Sequence, residues 1–119
     1  MSASGPEISA VRALREQLEE TIIRTPIVRC AAIEEALGGT AKVYGKLEFL
    51  QRTGTFKARG ALATLRSLSP EQLAHGVTAV SAGNHAIATA FAAAMSSTTA
   101  KVVMMRTANP ARVAACRGY

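Results

Sequence analysis

The chain has 119 residues and a formal net charge of +6, and 49% of its residues are apolar while only 4% are aromatic. This length suits one domain that buries a core without disulfides, although an alanine-rich core gains from packing against further protein. The arginines are spread along the chain with no basic block and no interleaved aromatic residues, so nucleic-acid binding is only a minor alternative.

Signals for secretion, membrane insertion and metal binding are weak. Residues 1–6 are polar rather than charged and then apolar, and the longest nonpolar stretch, 86–95, is too short to span a bilayer. Cys30 and Cys116 match no metal spacing. These features predict a soluble cytoplasmic protein with two reduced thiols.

The hydrophobic spacing predicts six helices and three strands. The predicted helices cover residues 8–23, 31–37, 56–68, 70–74, 84–95 and a last stretch from 110, and the predicted strands cover 42–47, 77–81 and 101–105. The short loops in the second half favour a parallel sheet with right-handed crossovers. The apolar run at 102–105 predicts a strand buried on both faces. Glu34 and Glu35 are expected on a solvated helix face.

Lys57 follows a turn containing Gly54 and stands at the start of a predicted helix, with Thr53 and Thr55 in the region of the N-cap. The positive end of a helix dipole disfavours an ammonium, so it lowers the pKa of an amine placed there. An apolar anchor at Phe56 would add desolvation. This pattern indicates a nucleophilic lysine that forms a Schiff base. The alternative is an ordinary solvated lysine.

A second motif, Ser-Ala-Gly-Asn-His at residues 81–85, ends a predicted parallel strand and opens a helix. Ligands of open α/β sheets bind at this edge, and the backbone N–H groups of a helix start favour a carboxylate or phosphate. The alternative is that Ser81 or Asn84 only caps the helix, that Gly83 only makes the turn, and that His85 is structural.

Residues 46–61, Lys-Leu-Glu-Phe-Leu-Gln-Arg-Thr-Gly-Thr-Phe-Lys-Ala-Arg-Gly-Ala, resemble the lysine segment of the fold type II pyridoxal-phosphate enzymes, and residues 81–85 resemble that family's second motif. Residues 24–27, Arg-Thr-Pro-Ile, are similar to the family's lead-in before its first strands. The resemblance implies an α/β fold with a three-layer parallel sheet, of which this chain holds an incomplete, N-terminal portion. It also implies that residues 1–47 belong to the large domain and that residues 48–119 begin the small domain.

The resemblance assigns roles by position. Lys57 would form the Schiff base with pyridoxal 5'-phosphate, Phe56 would pack near the cofactor ring, and Asn84 would hydrogen-bond the phenolic oxygen of the ring. The substrate carboxylate would be held by Ser81, Ala82, Gly83, Asn84 and His85. The implied reaction is β-elimination, in which the Lys57 amine removes the Cα proton and L-threonine or L-serine becomes a 2-keto acid and ammonia.

Three positions indicate the branch of the family. His85 stands where cysteine synthases usually have threonine, which favours the threonine and serine dehydratases. Ala82 stands where serine racemase has a serine that carries a proton, so racemisation is disfavoured. Thr55 replaces a more common serine and keeps its hydroxyl. A racemase, a β-replacement synthase and an inactive basic α/β binding module remain as alternatives.

The family's glycine-rich phosphate loop and its partner for the pyridine nitrogen have no counterpart in the sequence, and no metal site is expected. The resemblance therefore implies a fragment that is inactive by itself. Its complete form is expected to be a homo-oligomer that acts on a small amino acid, with no nucleic-acid or membrane partner. A reading frame that continues past Tyr119 into a glycine-rich loop would support this interpretation, and a stop codon there would weaken it.

Overall fold

A computed structural model describes Gly5 and residues 7–119, so the predicted polar start at residues 1–6 lies, apart from Gly5, outside the described residues. The helices are α1 (Ile8–Leu18), α2 (Ala31–Ala36), α3 (Lys57–Arg66), α4 (Pro70–Ala74), α5 (Asn84–Met95) and α6 (Pro110–Arg117). The strands are β1 (Ile27–Arg29), β2 (Tyr44–Lys46), β3 (Val77–Val80) and β4 (Ala100–Val103), and a 3-10 turn covers Glu48–Leu50. None of the helices in this part of the chain has the length and apolar character needed to span a bilayer.

The second half of the chain forms the parallel unit that its sequence predicts. β3 and β4 pair in parallel, with Val77 opposite Ala100, and α5 makes the crossover between them. β2 does not join this sheet but pairs antiparallel with β1, with Ile27 opposite Lys46. The sequence does not predict β1, because a strand of three residues next to Pro26 is too short to show a hydrophobic period.

The core lies between α3 and α5. Ala58 and Leu62 of α3 are fully buried, as are Ala88 and Ala92 of α5. In each helix the two residues are one turn apart on one face, and the small alanine side chains let the helices approach closely. Phe91 adds an aromatic ring to the same cluster. This contact fixes the starts of the two helices that carry the predicted motifs.

Two short helices begin at the capping residues that the sequence offers. The Ser69 hydroxyl accepts from the Gln72 N–H at 3.3 Å, and the Gln72 side chain accepts from the Ser69 N–H at 2.9 Å, which completes a capping box at α4. Asn109 Oδ1 accepts from the Ala111 N–H at 2.9 Å at the start of α6. The predicted starts of both helices are confirmed.

The parallel sheet is covered less than predicted. α5 packs against both strands, and the residues of β3 alternate between half-buried and exposed. Val80 is 83% exposed and Val103 is 55% exposed, so the prediction of a doubly buried strand at 102–105 is wrong. The helices in the described part of the chain do not cover these side chains.

α1 also differs from its prediction. It ends at Leu18 rather than at residue 23, and the chain then turns and buries Ile22.

The prediction that Glu34 lies on a solvated helix face is wrong. Glu34 is only 6% exposed, and both of its carboxylate oxygens accept from Arg29 Nε at 3.0 Å. Its Oε1 also accepts from the Val43 N–H at 2.8 Å. The hydrogen bond from Arg29, followed by that from Val43, lowers the pKa of Glu34. Glu34 thus ties α2 to the residues around both short strands, while the neighbouring Glu35 is exposed as predicted.

Candidate functional site

Lys57 is the first residue of α3, and its Nζ lies 5.2 Å from the centroid of the Phe56 ring. Gly54 has a φ of +71°, which lets the chain turn sharply before the helix. Thr55 Oγ1 accepts from the Lys57 N–H at 3.4 Å, which is too long for a strong cap. Phe56 is 59% exposed and Lys57 is exposed as well, so the predicted apolar, desolvated setting of this lysine is wrong within the described residues.

Glu48 anchors the start of α3 through Arg59. The carboxylate accepts from Arg59 Nε and from Arg59 Nη2, each at 2.8 Å, and it also accepts from the Thr25 hydroxyl. The hydrogen bonds from Arg59 are the main cause that lowers the pKa of Glu48 to about 2; partial burial opposes them, and Thr25 and the charges of Arg59 and Lys46 assist. Because Arg59 lies in the first turn of α3, this pairing holds the turn that carries Lys57.

Gln51 joins the same loop to the segment before β1. Its Oε1 accepts from the Ile23 N–H at 3.0 Å, and its Nε2 donates to the Ile23 carbonyl at 2.9 Å. Arg59 Nη2 donates to that carbonyl too, at 3.1 Å. Glu48, Gln51 and Arg59 are not among the residues predicted from the sequence, because hydrophobic spacing does not reveal which distant polar groups meet. The one sequence feature that hints at this network is the opposite charge of Glu48 and Arg59, which lie before and after the turn that leads to Lys57.

The second motif joins the end of β3 to the start of α5. The Ser81 hydroxyl accepts from the Gly83 N–H at 3.2 Å, and Asn84 Oδ1 accepts from Arg112 Nη1 at 2.8 Å. Neither side chain caps α5, whose cap residue is Gly83. In the described chain, the N–H groups of Asn84 and His85 have no backbone or side-chain acceptor, as is usual at an uncapped helix start. Such groups can bind an anion.

One cavity of about 550 Å³ brings together Phe56, Lys57 and His85. Its walls are one side of α3 along the length of that helix, strand β3 and the first turns of α5, with apolar side chains such as Leu65 and Leu68. The other residues of the second motif do not line this cavity: Ser81, Ala82 and Gly83 lie on the loop after β3, and Asn84 is the first residue of α5.

The cavity therefore combines a primary amine and an imidazole with apolar walls, next to a helix start that offers N–H donors. Such a set suits capture of a carbonyl group by Lys57 and binding of a carboxylate at the loop. Within Gly5 and residues 7–119, the His, Cys and Glu side chains form no group of three that could hold a metal ion.

The family model described as "Pyridoxal-phosphate dependent enzyme" matches residues 18–119. The phenylserine dehydratase of Ralstonia pickettii is 51% identical over 114 residues, which are 96% of this chain and 34% of that protein. The L-threonine ammonia-lyase of Geobacter sulfurreducens is 40% identical over 104 residues, which are 87% of this chain and 25% of that protein.

A solved structure shows the same fold. The structure of maize serine racemase superposes with a TM-score of 0.86 at 32% identity and covers 98% of this chain and 35% of that one. The chain thus spans between a quarter and about a third of the length of these three proteins. The predicted fold class and the predicted cofactor dependence of the family are confirmed. The chain belongs to the family of pyridoxal-phosphate-dependent enzymes, within the fold type II class that its two motifs indicate.

Proposed function

We propose that the protein is an ammonia-lyase that removes the β-hydroxyl and the amino group of L-threonine or L-serine, with residues 1–119 supplying the lysine and the carboxylate-binding loop. The observation that carries this proposal is the cavity shared by Lys57 and His85, which joins the two motifs. The assignment of residues 1–47 and 48–119 to two domains, and a homo-oligomeric complete form, belong to the same proposal.

The residues present fit pyridoxal phosphate. Lys57 offers an accessible primary amine at the edge of a cavity large enough for the cofactor ring, and Phe56 lies beside that amine. Asn84 does not line the cavity itself, but it directly precedes His85, which does, and it carries an amide that could donate a hydrogen bond to the phenolic oxygen. When bound, the cofactor supplies an electron sink for the negative charge that develops at the substrate Cα.

The chain's own groups would divide the remaining work. The N–H groups of Asn84 and His85 would bind the substrate carboxylate, because they lie at the positive end of α5. The Lys57 amine would remove the Cα proton as a general base. Loss of the β-hydroxyl as water would leave an enamine. Hydrolysis of this enamine would then release a 2-keto acid and ammonia. Ala82 has no proton to give to the opposite face, so elimination is favoured over racemisation.

Phenylserine is a second candidate substrate. Of the two relatives compared above, the one named a phenylserine dehydratase is more similar to this chain than the one named a threonine ammonia-lyase. Both candidates share a β-hydroxyl group, and therefore the same bond is broken. The candidate substrates differ in the size of the group on their β-carbon.

The full-length gene product that contains these residues allows a direct test. Its release of 2-oxobutanoate, pyruvate or phenylpyruvate from L-threonine, L-serine or L-phenylserine would be measured with added pyridoxal phosphate. We expect Lys57→Ala to lower kcat/KM by about 10²–10⁴-fold or more, since it removes the general base. Lys42→Ala, which alters an exposed lysine outside the cavity, is the matched control. Unchanged turnover in Lys57→Ala, or formation of D-amino acid without keto acid in the wild type, would refute the proposal.

A further inference from the structure

Arg112 connects α6 to the second motif. It is half-buried, and its Nη1 donates to Asn84 Oδ1 at 2.8 Å. The same Nη1 would lie 3.6 Å from a Cβ atom placed on Gly83, so the guanidinium also lies against the backbone of the loop. Nothing in the sequence spacing singles out this arginine, because it is 28 positions from its partner.

The hydrogen bond from Arg112 fixes the orientation of the Asn84 amide, with Oδ1 facing the guanidinium. An asparagine side chain presents an acceptor oxygen on one side and a donor nitrogen on the other, whereas a guanidinium only donates. Arg112 can therefore hold only the Oδ1 end, which leaves Nδ2 to donate elsewhere. A phenolic oxygen needs that donor.

We infer that Arg112 is a positioning residue that orients the Asn84 amide so that Nδ2 donates to the phenolic oxygen of the cofactor. The inference rests on the proposed function, which assigns Asn84 to that oxygen. Arg112 itself touches neither cofactor nor substrate in this role. It acts through the amide that it holds.

The surroundings of Arg112 argue against a role in folding alone. The ion pairs of the described residues use Arg29, Lys46 and Arg59, and none includes Arg112. Its cation lies next to the start of α5, where the helix dipole disfavours positive charge. The charge-assisted hydrogen bond from Arg112 Nη1 to Asn84 Oδ1 offsets that cost, and it also sets the orientation of the Asn84 amide.

The test uses the cofactor-free, full-length gene product, titrated with pyridoxal phosphate while the dissociation constant and the visible absorption band are recorded. Without Arg112 the amide can rotate, and only part of the protein then presents Nδ2. We expect Arg112→Met to raise the dissociation constant about two- to tenfold, as the competent fraction falls. The band should shift in the same direction as in Asn84→Ala. Arg112→Lys keeps a donor and should stay near the wild type, and Arg117→Met on the same helix is the control.

Asn84→Asp gives an independent readout that does not depend on how Arg112 variants fold. Its carboxylate keeps the contact with Arg112 but has no N–H to donate, so the melting temperature of the cofactor-free protein should be retained. Its affinity for pyridoxal phosphate should nevertheless fall as in Asn84→Ala. In the double variant, Arg112→Met should add nothing to Asn84→Ala, because the two residues act through one hydrogen bond.

Three outcomes would overturn the inference. If Arg112→Met keeps the wild-type affinity and band while Asn84→Ala changes both, Arg112 does not orient Asn84, and the proposed function stands. If Arg112→Met alters only the KM for the amino acid, Arg112 binds substrate instead. If Asn84→Ala or Asn84→Asp leaves cofactor binding unchanged, the role proposed for Asn84 fails together with the inference.

Discussion

Lys57 owes its place to residues that are not themselves part of the proposed chemistry. Arg59 donates a hydrogen bond to the Glu48 carboxylate, and both Arg59 and Gln51 donate to the Ile23 carbonyl. These hydrogen bonds fix the position at which α3 begins. The amine is therefore presented by a turn that is fixed on both sides. The network depends on the charge of Glu48, which makes it sensitive to acid.

Glu48→Gln tests this network through the pH dependence of stability. The pKa of Glu48 is lowered from 4.5 to about 2 in the folded chain, so its stabilising contribution is complete above pH 4.5 and is lost as the pH falls toward 2. At pH 7 we expect the variant to lose about 1.5–3 kcal/mol of unfolding free energy, the usual value of a hydrogen bond to a charged group. Chemical denaturation at pH 7 and pH 3 should show that the difference from the wild type shrinks in acid. Equal differences at both values, or an equal effect of Glu35→Gln, would contradict this account.

Ala82 is the residue on which the choice between elimination and racemisation depends. A hydroxyl at this position would place a proton donor on the loop next to His85. We expect Ala82→Ser to create measurable formation of D-serine from L-serine, since a positioned acid or base contributes about 10²–10⁴-fold to a proton transfer. Chiral chromatography of the amino acid pool measures it, with Ala82→Gly as the control. Equal amounts of D-serine in both variants would show that the serine hydroxyl is not responsible.

Among the helices and strands, the contact between α3 and α5 determines how the two motifs meet. Most helices could be predicted from the sequence, because caps such as Ser69 and Asn109 and the spacing of apolar residues are local signals. The pairing of β3 with β4 also followed from the short crossovers. β1, the buried Glu34 and the contact of Arg112 with Asn84 could not be predicted, because they depend on which distant segments meet.

Leu62→Ala tests whether the contact between α3 and α5 carries the fold. Leu62 is the largest fully buried side chain, and it lies one turn after Ala58 in that contact. Its truncation should cost about 2–5 kcal/mol, through lost burial and a residual cavity. Leu37→Ala, at an exposed leucine, should change stability much less. Urea denaturation compares the two, and similar losses would mean that the core lies elsewhere.

The chain is more open than a compact domain of the same length. Its radius of gyration is 17.2 Å, whereas a compact chain of this length has roughly 13–14 Å. Its accessible surface is 8555 Å², against roughly 6100 Å² for a compact monomer of 12.4 kDa. Large apolar side chains such as Val80, Val103, Met105 and Phe49 are exposed. Surface of this kind is usually buried in an interface.

The exposed sheet face makes a prediction for residues 1–119 expressed by themselves. We expect this chain to associate in a concentration-dependent way, because the side chains of Val80 and Val103 expose apolar area. Replacing both by threonine keeps the β-branched shape and should weaken the association. Sedimentation velocity measures it, with Val11→Thr on α1 as the control. A wild-type chain that stays monomeric at all concentrations would contradict the prediction.

Lys57 is the proposed site at which pyridoxal phosphate binds covalently. Borohydride reduction of the cofactor-loaded, full-length gene product, followed by proteolysis and mass spectrometry, locates the attached pyridoxyl group. The chain has three other lysines, Lys42, Lys46 and Lys101, which serve as internal controls. We expect a pyridoxyl group on Lys57 and none on these three. A pyridoxyl group on another lysine, with Lys57 unmodified, would contradict it.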